Sequence, residues 1–219
     1  LRVRIGEIYE KKRDYDKAVA FYLSASKERK EAVEPRLKVA HVYEVQEKPL
    51  DAAANYKTAA LMNPEYPEIW LLAARSYAGA GYWREAADLY HKEVEERPAV
   101  LSSFLEFAEF MLKINAPQEV PKIFLKFKSN YEEDPRVLTR LAQAYMAMKE
   151  YENARTAAST AMARDPSLAE PYRILAICSE QQGVYSTAKE FYEKYLSRYP
   201  QASDASSIRL KLSKPPFSQ

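Results

Sequence analysis

Apolar and polar positions alternate along this chain with a helical period. Trp70, Ala73, Ala74 and Tyr77 fall at i, i+3, i+4 and i+7, one face of a helix. After Gly79-Ala80-Gly81 a second apolar face begins with Trp83, Ala86 and Tyr90. The same helix–turn–helix pattern recurs at a fixed interval. Small residues stand 34 apart at Gly6, Ala40, Ala74, Ala108, Ala142 and Ala176. Three positions beyond them come Tyr9, Tyr43, Tyr77, Met111, Tyr145 and, as the exception, Ser179. A second small series runs through Ala18, Ala52, Ala86, Val120, Ala154 and Ala188, and Tyr22, Tyr56, Tyr90, Phe124, Ala158 and Tyr192 follow it by four. The spacing predicts six helix pairs, in units 1–32, 33–66, 67–100, 101–134, 135–168 and 169–202.

Pro64, Pro98, Pro166 and Pro200 punctuate the ends of units, where proline ends one helix or enters the first turn of the next. Asn63 and Asp134 supply side chains suited to turns and caps. Helices approach to about 8–10 Å only where small residues meet. Ala74 and Ala86 therefore let one pair close, while Trp70, Tyr77 and Tyr90 fill the remaining space. A single pair cannot bury both faces, so the pairs must stack into a solenoid. The unit 101–134 is degenerate: Val120 and Phe127 replace small residues, and Pro117 and Pro121 predict a second helix that begins late or bends. Residues 203–213 read as a capping helix, with Ser203 or Asp204 as N-cap and Ala205, Ile208 and Leu212 on one face, and 214–219 as a tail. Leu1 falls inside the first helix of its unit, which points to a fragment or to a chain with something folded before it.

These residues resemble the tetratricopeptide repeat (TPR) family, whose pattern runs Trp-x2-Leu-Gly-x2-Tyr, then Ala-x3-Phe, then Ala, then Pro. The third unit reads Trp70-x2-Ala73-Ala74-x2-Tyr77, Ala86-x3-Tyr90, Pro98; the second reads Ala40-x2-Tyr43, Ala52-x3-Tyr56-x2-Ala59, Pro64. The resemblance covers roughly residues 1–202 and implies an all-α fold, a right-handed superhelix of six helix pairs plus a cap.

In solenoids of this kind a second face of each first helix lines a concave groove that holds partner peptides or helices. Here that face carries Leu37, His41 and Glu44, then Leu71, Arg75 and Ala78. It continues with Leu105, Glu109 and Leu112, then Thr139, Gln143 and Met146, then Arg173, Ile177 and Glu180. The leucine ladder Leu37, Leu71 and Leu105, with Leu112 and Met146 beside it, predicts an exposed apolar strip suited to an apolar or amphipathic peptide segment. Some relatives of this kind grip a chaperone's terminal carboxylate through Lys and Asn. Leucines take the place of that Lys here, and His41, Arg75 and Glu109 the place of that Asn, so the clamp is absent.

Composition narrows the chemistry. Of 219 residues only four are Gly, which favours helices, and 33 basic against 31 acidic side chains leave a formal charge of +2. No basic stripe for nucleic acid is present, and most of the 17 tyrosines occupy the repeat's own aromatic positions, where packing explains them. Lys11-Lys12-Arg13 and Lys27-Glu28-Arg29-Lys30 read as solvated faces. With one cysteine, Cys178, and two histidines, His41 and His91, the chain has no material for a disulfide framework or a cysteine-based zinc site. Cys178 reads as a small buried hydrophobe and His41 as a polar groove residue. No phosphate loop or nucleophile motif occurs, so neither an enzyme nor a cofactor is expected. Direct membrane insertion is not expected either, because no apolar run approaches the ~20 residues of a span. The expectation is a soluble, non-catalytic scaffold or adaptor for a protein partner; the lone cysteine suits the cytoplasm and is compatible with a periplasmic domain. The alternatives are homo-oligomeric self-assembly through Phe104, Phe107, Phe110, Phe124 and Phe127, or a regulatory segment of a larger protein.

Overall fold

The computed structural model describes residues 1–28 and 32–218; Arg29, Lys30, Glu31 and Gln219 lie outside the described residues. The described chain is helical with no strand, and it forms two compact units, residues 1–97 and 98–219. The first unit holds α1 (Arg2–Lys11) with α2 (Tyr15–Glu28), α3 (Glu34–Val45) with α4 (Pro49–Met62), and α5 (Ile69–Gly79) with α6 (Trp83–Glu96). The second holds α7 (Leu101–Lys113) with α8 (Glu119–Lys126) and α9 (Lys128–Tyr131), α10 (Pro135–Ala147) with α11 (Tyr151–Arg164), α12 (Glu170–Gln181) with α13 (Tyr185–Arg198), and the short α14 (Ala205–Leu212). Within each unit helices pack against their chain neighbours, α4 on α5 and α11 on α12 as well as partner on partner.

The small residues sit where helices cross. Ala18, Ala40, Ala52, Ala74 and Ala86 are fully buried in the first unit, as are Ala108, Ala142, Ala154, Ala176 and Ala188 in the second. At the first crossing even alanine is too large: a Cβ on Gly6 would meet Tyr22 Cε1 at 2.5 Å, and Tyr22 has no exposed surface to yield into.

Each first helix ends in the same way. Arg13, Glu47, Gly81, Asn115, Lys149 and Gly183 adopt positive φ, one per pair at the 34-residue step. The residue after each donates its N–H five positions back, as in Asp14 N to Tyr9 O and Lys48 N to Tyr43 O, both 2.9 Å. That is a left-handed C-cap closing the last turn. Only two of the six positions hold glycine, so four turns carry a side chain in a conformation that L-residues disfavour.

The degenerate pair departs as its prolines predict. Second helices elsewhere run 14 residues, whereas α8 starts two positions late, at Glu119, spans 8 residues and breaks at Phe127. The space is filled by rings: Phe104 lies 4.3 Å from Tyr131 and 6.1 Å from Phe107 between centroids. Phe104, Phe107, Phe110 and Phe124 are all buried, so they form core and do not offer a surface for another copy. The tail also differs from expectation. Phe217 is buried, because α14 alone leaves the rings of α13 uncovered and Phe217 closes over them.

Candidate functional site

The first helices of successive pairs carry the predicted groove face, and each unit presents its own part of it. In the second unit α7, α10 and α12 line a trough of about 570 Å³. Of the residues the sequence singled out, Glu109, Leu112, Gln143, Met146, Arg173 and Ile177 come together there. Lys113, Arg140, Ala147 and Ile174 join them. The sequence reading missed these four because it followed a narrow i, i+4, i+7 stripe, while the open helix face is wider.

Two expectations need correction. Leu71 is 1% exposed, and Thr139, at the same repeat position, is buried too. Both sit in the N-terminal half of their helices, where neighbours on either flank cover the surface: α4 and α6 around α5, α8 and α11 around α10. The Thr139 hydroxyl is satisfied internally, donating to Pro135 O at 2.7 Å. The longer Arg173 at that position still reaches the trough, while Leu37 and Leu105 are half-buried. The continuous exposed leucine ladder is therefore not formed; the apolar floor is Leu112, Met146 and Ile177, each half-buried.

Around that floor runs a chain of polar contacts. Arg140 donates to Glu109 Oε2 and to Gln143 Oε1, both at 3.0 Å, and Gln143 Nε2 donates to Glu170 Oε1 at 3.0 Å. Arg173 donates through Nε to Glu170 Oε2 at 2.9 Å and through Nη2 to Oε1 at 2.5 Å, with Asp204 Oδ2 at 3.8 Å from Nη1. The hydrogen bond to Glu170 holds the Arg173 guanidinium above its ordinary pKa, against the opposing effect of burial. Arg173 is thus fixed by two carboxylates, whereas Arg140 leans on Glu109, whose side chain is 69% exposed. Of the two cations, Arg140 is the easier to redirect towards a partner, since exposed ion pairs contribute little.

In the first unit Leu37 is half-buried, His41 and Arg75 are exposed, and Ala78 is half-buried. His41 stands 3.8 Å from Glu10 Oε1 and from Glu44 Oε2, too far for a hydrogen bond. Both carboxylates are anchored from behind: Tyr22 donates to Glu10 at 2.6 Å and Tyr56 to Glu44 at 2.9 Å. Tyr192 does the same to Glu180 at 2.7 Å in the second unit. Burial, and then the bonded carboxylate, push all three phenols above their ordinary pKa. At the matching positions of the other pairs the acids become Ala78, Leu112 and Met146. A Tyr–Glu pair spaced by twelve thus marks the polar stretches of the face, a signal present in the sequence but unread there.

Cys178 is buried with Sγ 3.5 Å from Met146 Sδ, and burial pushes its thiol up to about 11, which leaves it unreactive. Among the described residues no group of three His, Cys, Asp or Glu side chains could hold a metal ion. No described helix is long and apolar enough to cross a membrane.

Comparisons with known proteins agree with this architecture. YrrB, described as a TPR protein with an unusual peptide-binding site, superposes with a TM-score of 0.65 at 16% identity over 86% of this chain and 97% of its own. Residues 41 to the end of MamA from Desulfovibrio magneticus RS-1 give 0.62 at 18% identity, over 78% and 97%. PilF of Pseudomonas aeruginosa gives 0.59 at 14%, over 96% of each chain. At these identities the likeness concerns the fold alone. In sequence, protein O-mannosyl-transferase TMTC3 of Mus musculus is 22% identical over 161 residues, 67% of this chain but only 18% of that protein. Models of the tetratricopeptide repeat match residues 1–34, 37–100 and 139–203. The last two spans flank the broken helix, and with most of the chain in register the protein belongs to the tetratricopeptide repeat family.

Proposed function

We propose that this chain is a non-catalytic interaction module that holds an apolar or amphipathic segment of a protein partner in the trough of its second unit. The observation that carries this is the trough itself, with Leu112, Met146 and Ile177 as an apolar floor between Arg140 and Arg173. Covering the floor contributes about 25 cal/mol per Å² of apolar area. The flanking charges set orientation and discriminate between partners more than they add affinity. A carboxylate on the partner competes with the exposed Glu109 for Arg140, so an acidic side chain beside an apolar one suits the site. In the first unit, Leu37, His41, Arg75 and Ala78 form a more polar surface of their own.

The test is a pull-down with the intact chain and a Met146→Asp variant in parallel. Met146 is half-buried on the floor, so the charge should abolish capture while the helical signal persists. Undiminished capture by the variant would remove the trough from consideration. Leu71 is unsuitable for this purpose, since a charge there would report on folding.

A second proposal rests on TMTC3, where a matching stretch makes up 18% of a longer protein: the module serves as the interaction segment of a larger chain. Sequencing upstream of Leu1 decides it, a further domain supporting the idea and a start codon at once before Leu1 refuting it.

A further inference from the structure

The chain after α14 turns back onto the fold. Phe217 is 4% exposed and shares one apolar cluster with Ala188, Tyr192, Tyr195 and Ile208. Its ring stands edge to face with Tyr185 at 5.5 Å and with Tyr192 at 6.1 Å between centroids. Such geometry sets the positive rim of one ring against the negative face of another. The Phe217 carbonyl accepts a hydrogen bond from Lys189 Nζ at 3.0 Å. Tyr192 is itself held in place, donating to Glu180 at 2.7 Å, while Lys211 Nζ binds both oxygens of Glu180 at 2.8 and 2.9 Å. Tyr185 remains 39% exposed, so the slot opens to solvent on one side.

A ring slot and a cation aimed at a main-chain carbonyl recognise features that any segment with an aromatic residue supplies. Pro215 and Pro216, which lead into it, have φ fixed by their rings and so lose less backbone freedom on docking than other residues would. We propose that the slot formed by Tyr185, Lys189, Tyr192 and Ile208 is a recognition site for a proline-rich segment that ends in an aromatic side chain, with residues 214–218 as its occupant in cis. The partner in trans is a chain that presents the same Pro-Pro-aromatic chemistry. The tethered tail competes at an effective concentration of roughly millimolar, so a free segment enters only when the tail is displaced. The site lies on α13 and α14, and none of its four residues lines the trough on α7, α10 and α12.

Two variants test this: the chain shortened after Ser213, and the full chain with Phe217→Ala, which keeps the prolines. The probe is the acetylated, amidated peptide Lys-Pro-Pro-Phe-Ser, with alanine in place of its phenylalanine as control. Saturable shifts of the Tyr185 and Tyr192 ring resonances are expected in both variants, at least tenfold weaker in the intact chain and absent with the control. No response in the Phe217→Ala chain, or an equal response in the intact chain, overturns the proposal. So does self-association of the shortened chain that the peptide fails to reverse, which would make the surface an interface between copies.

Discussion

Two neighbouring helix pairs of the second unit solve one packing problem in different ways. In α10–α11 the crossing is lined by Ala142, Ala154, Ala158 and Ala161, all fully buried, and the second helix runs unbroken for 14 residues. In α7–α8–α9 Val120 stands where Ala154 stands, Pro117 and Pro121 delay the helix, and Phe127 interrupts it. There Phe104, Phe107, Phe124 and Tyr131 replace close backbone approach with ring volume. The difference teaches that the repeat requires a filled space and an exit direction for the chain more than a complete second helix. It also explains why α10, the helix that follows the break, stays in register and can present Arg140, Gln143 and Met146 to the trough.

The sharpest break is Phe104→Ala. It removes the ring at the centre of the aromatic cluster and should cost about 3–5 kcal/mol, measured by urea denaturation. A loss below about 1 kcal/mol would mean the rings are not what replaces the missing helix. Next comes Ala142→Trp in the regular pair, where an overpacked crossing should cost about 3 kcal/mol; an unchanged melting curve would contradict the close approach.

Asp134 joins the two pairs and gives a pH-dependent effect. Its side chain caps α10, accepting from Arg136 N at 2.8 Å and Val137 N at 3.2 Å. The bond from the Arg136 side chain is the largest cause holding the carboxyl below its usual value of 3.8. In the window between the folded and unfolded values the unfolded chain binds more protons, so stability rises with pH there. The contribution is present in full above the unfolded value and is lost as pH falls through the folded one. Asp134→Ala should therefore cost about 1 kcal/mol at neutral pH, and the gap from the parent should close in acid. A gap independent of pH would show that the carboxylate charge plays no part.

The smallest effects lie at the left-handed turns. Lys149→Gly, in the regular pair, should raise stability by about 0.5–1 kcal/mol, because glycine adopts positive φ without the steric cost. Asn115→Gly, in the broken pair, should change it by only a few tenths, since Asn tolerates that conformation. Equal gains at both sites would dispute this view of the turn.

The interval of 34 residues, read from alanines and tyrosines, determined the helix pairs, their crossings and the family. It did so because close helix approach admits only small side chains, a constraint that is local and periodic. Pro117 and Pro121 likewise announced the broken helix, since a missing N–H and a ring clash act within one turn. The site was legible only in part. Glu109, Leu112, Gln143, Met146, Arg173 and Ile177 meet as their spacing implies, but Leu71 and Thr139 sink below neighbouring helices, and Arg140 emerges one position off the stripe. Whether a side chain on a helix flank meets water depends on how near the next helix lies, which no residue in the sequence encodes alone. Phe217 makes the same point: only the folded chain could bring it to the rings of Tyr185 and Tyr192, because that contact depends on where α14 ends in space.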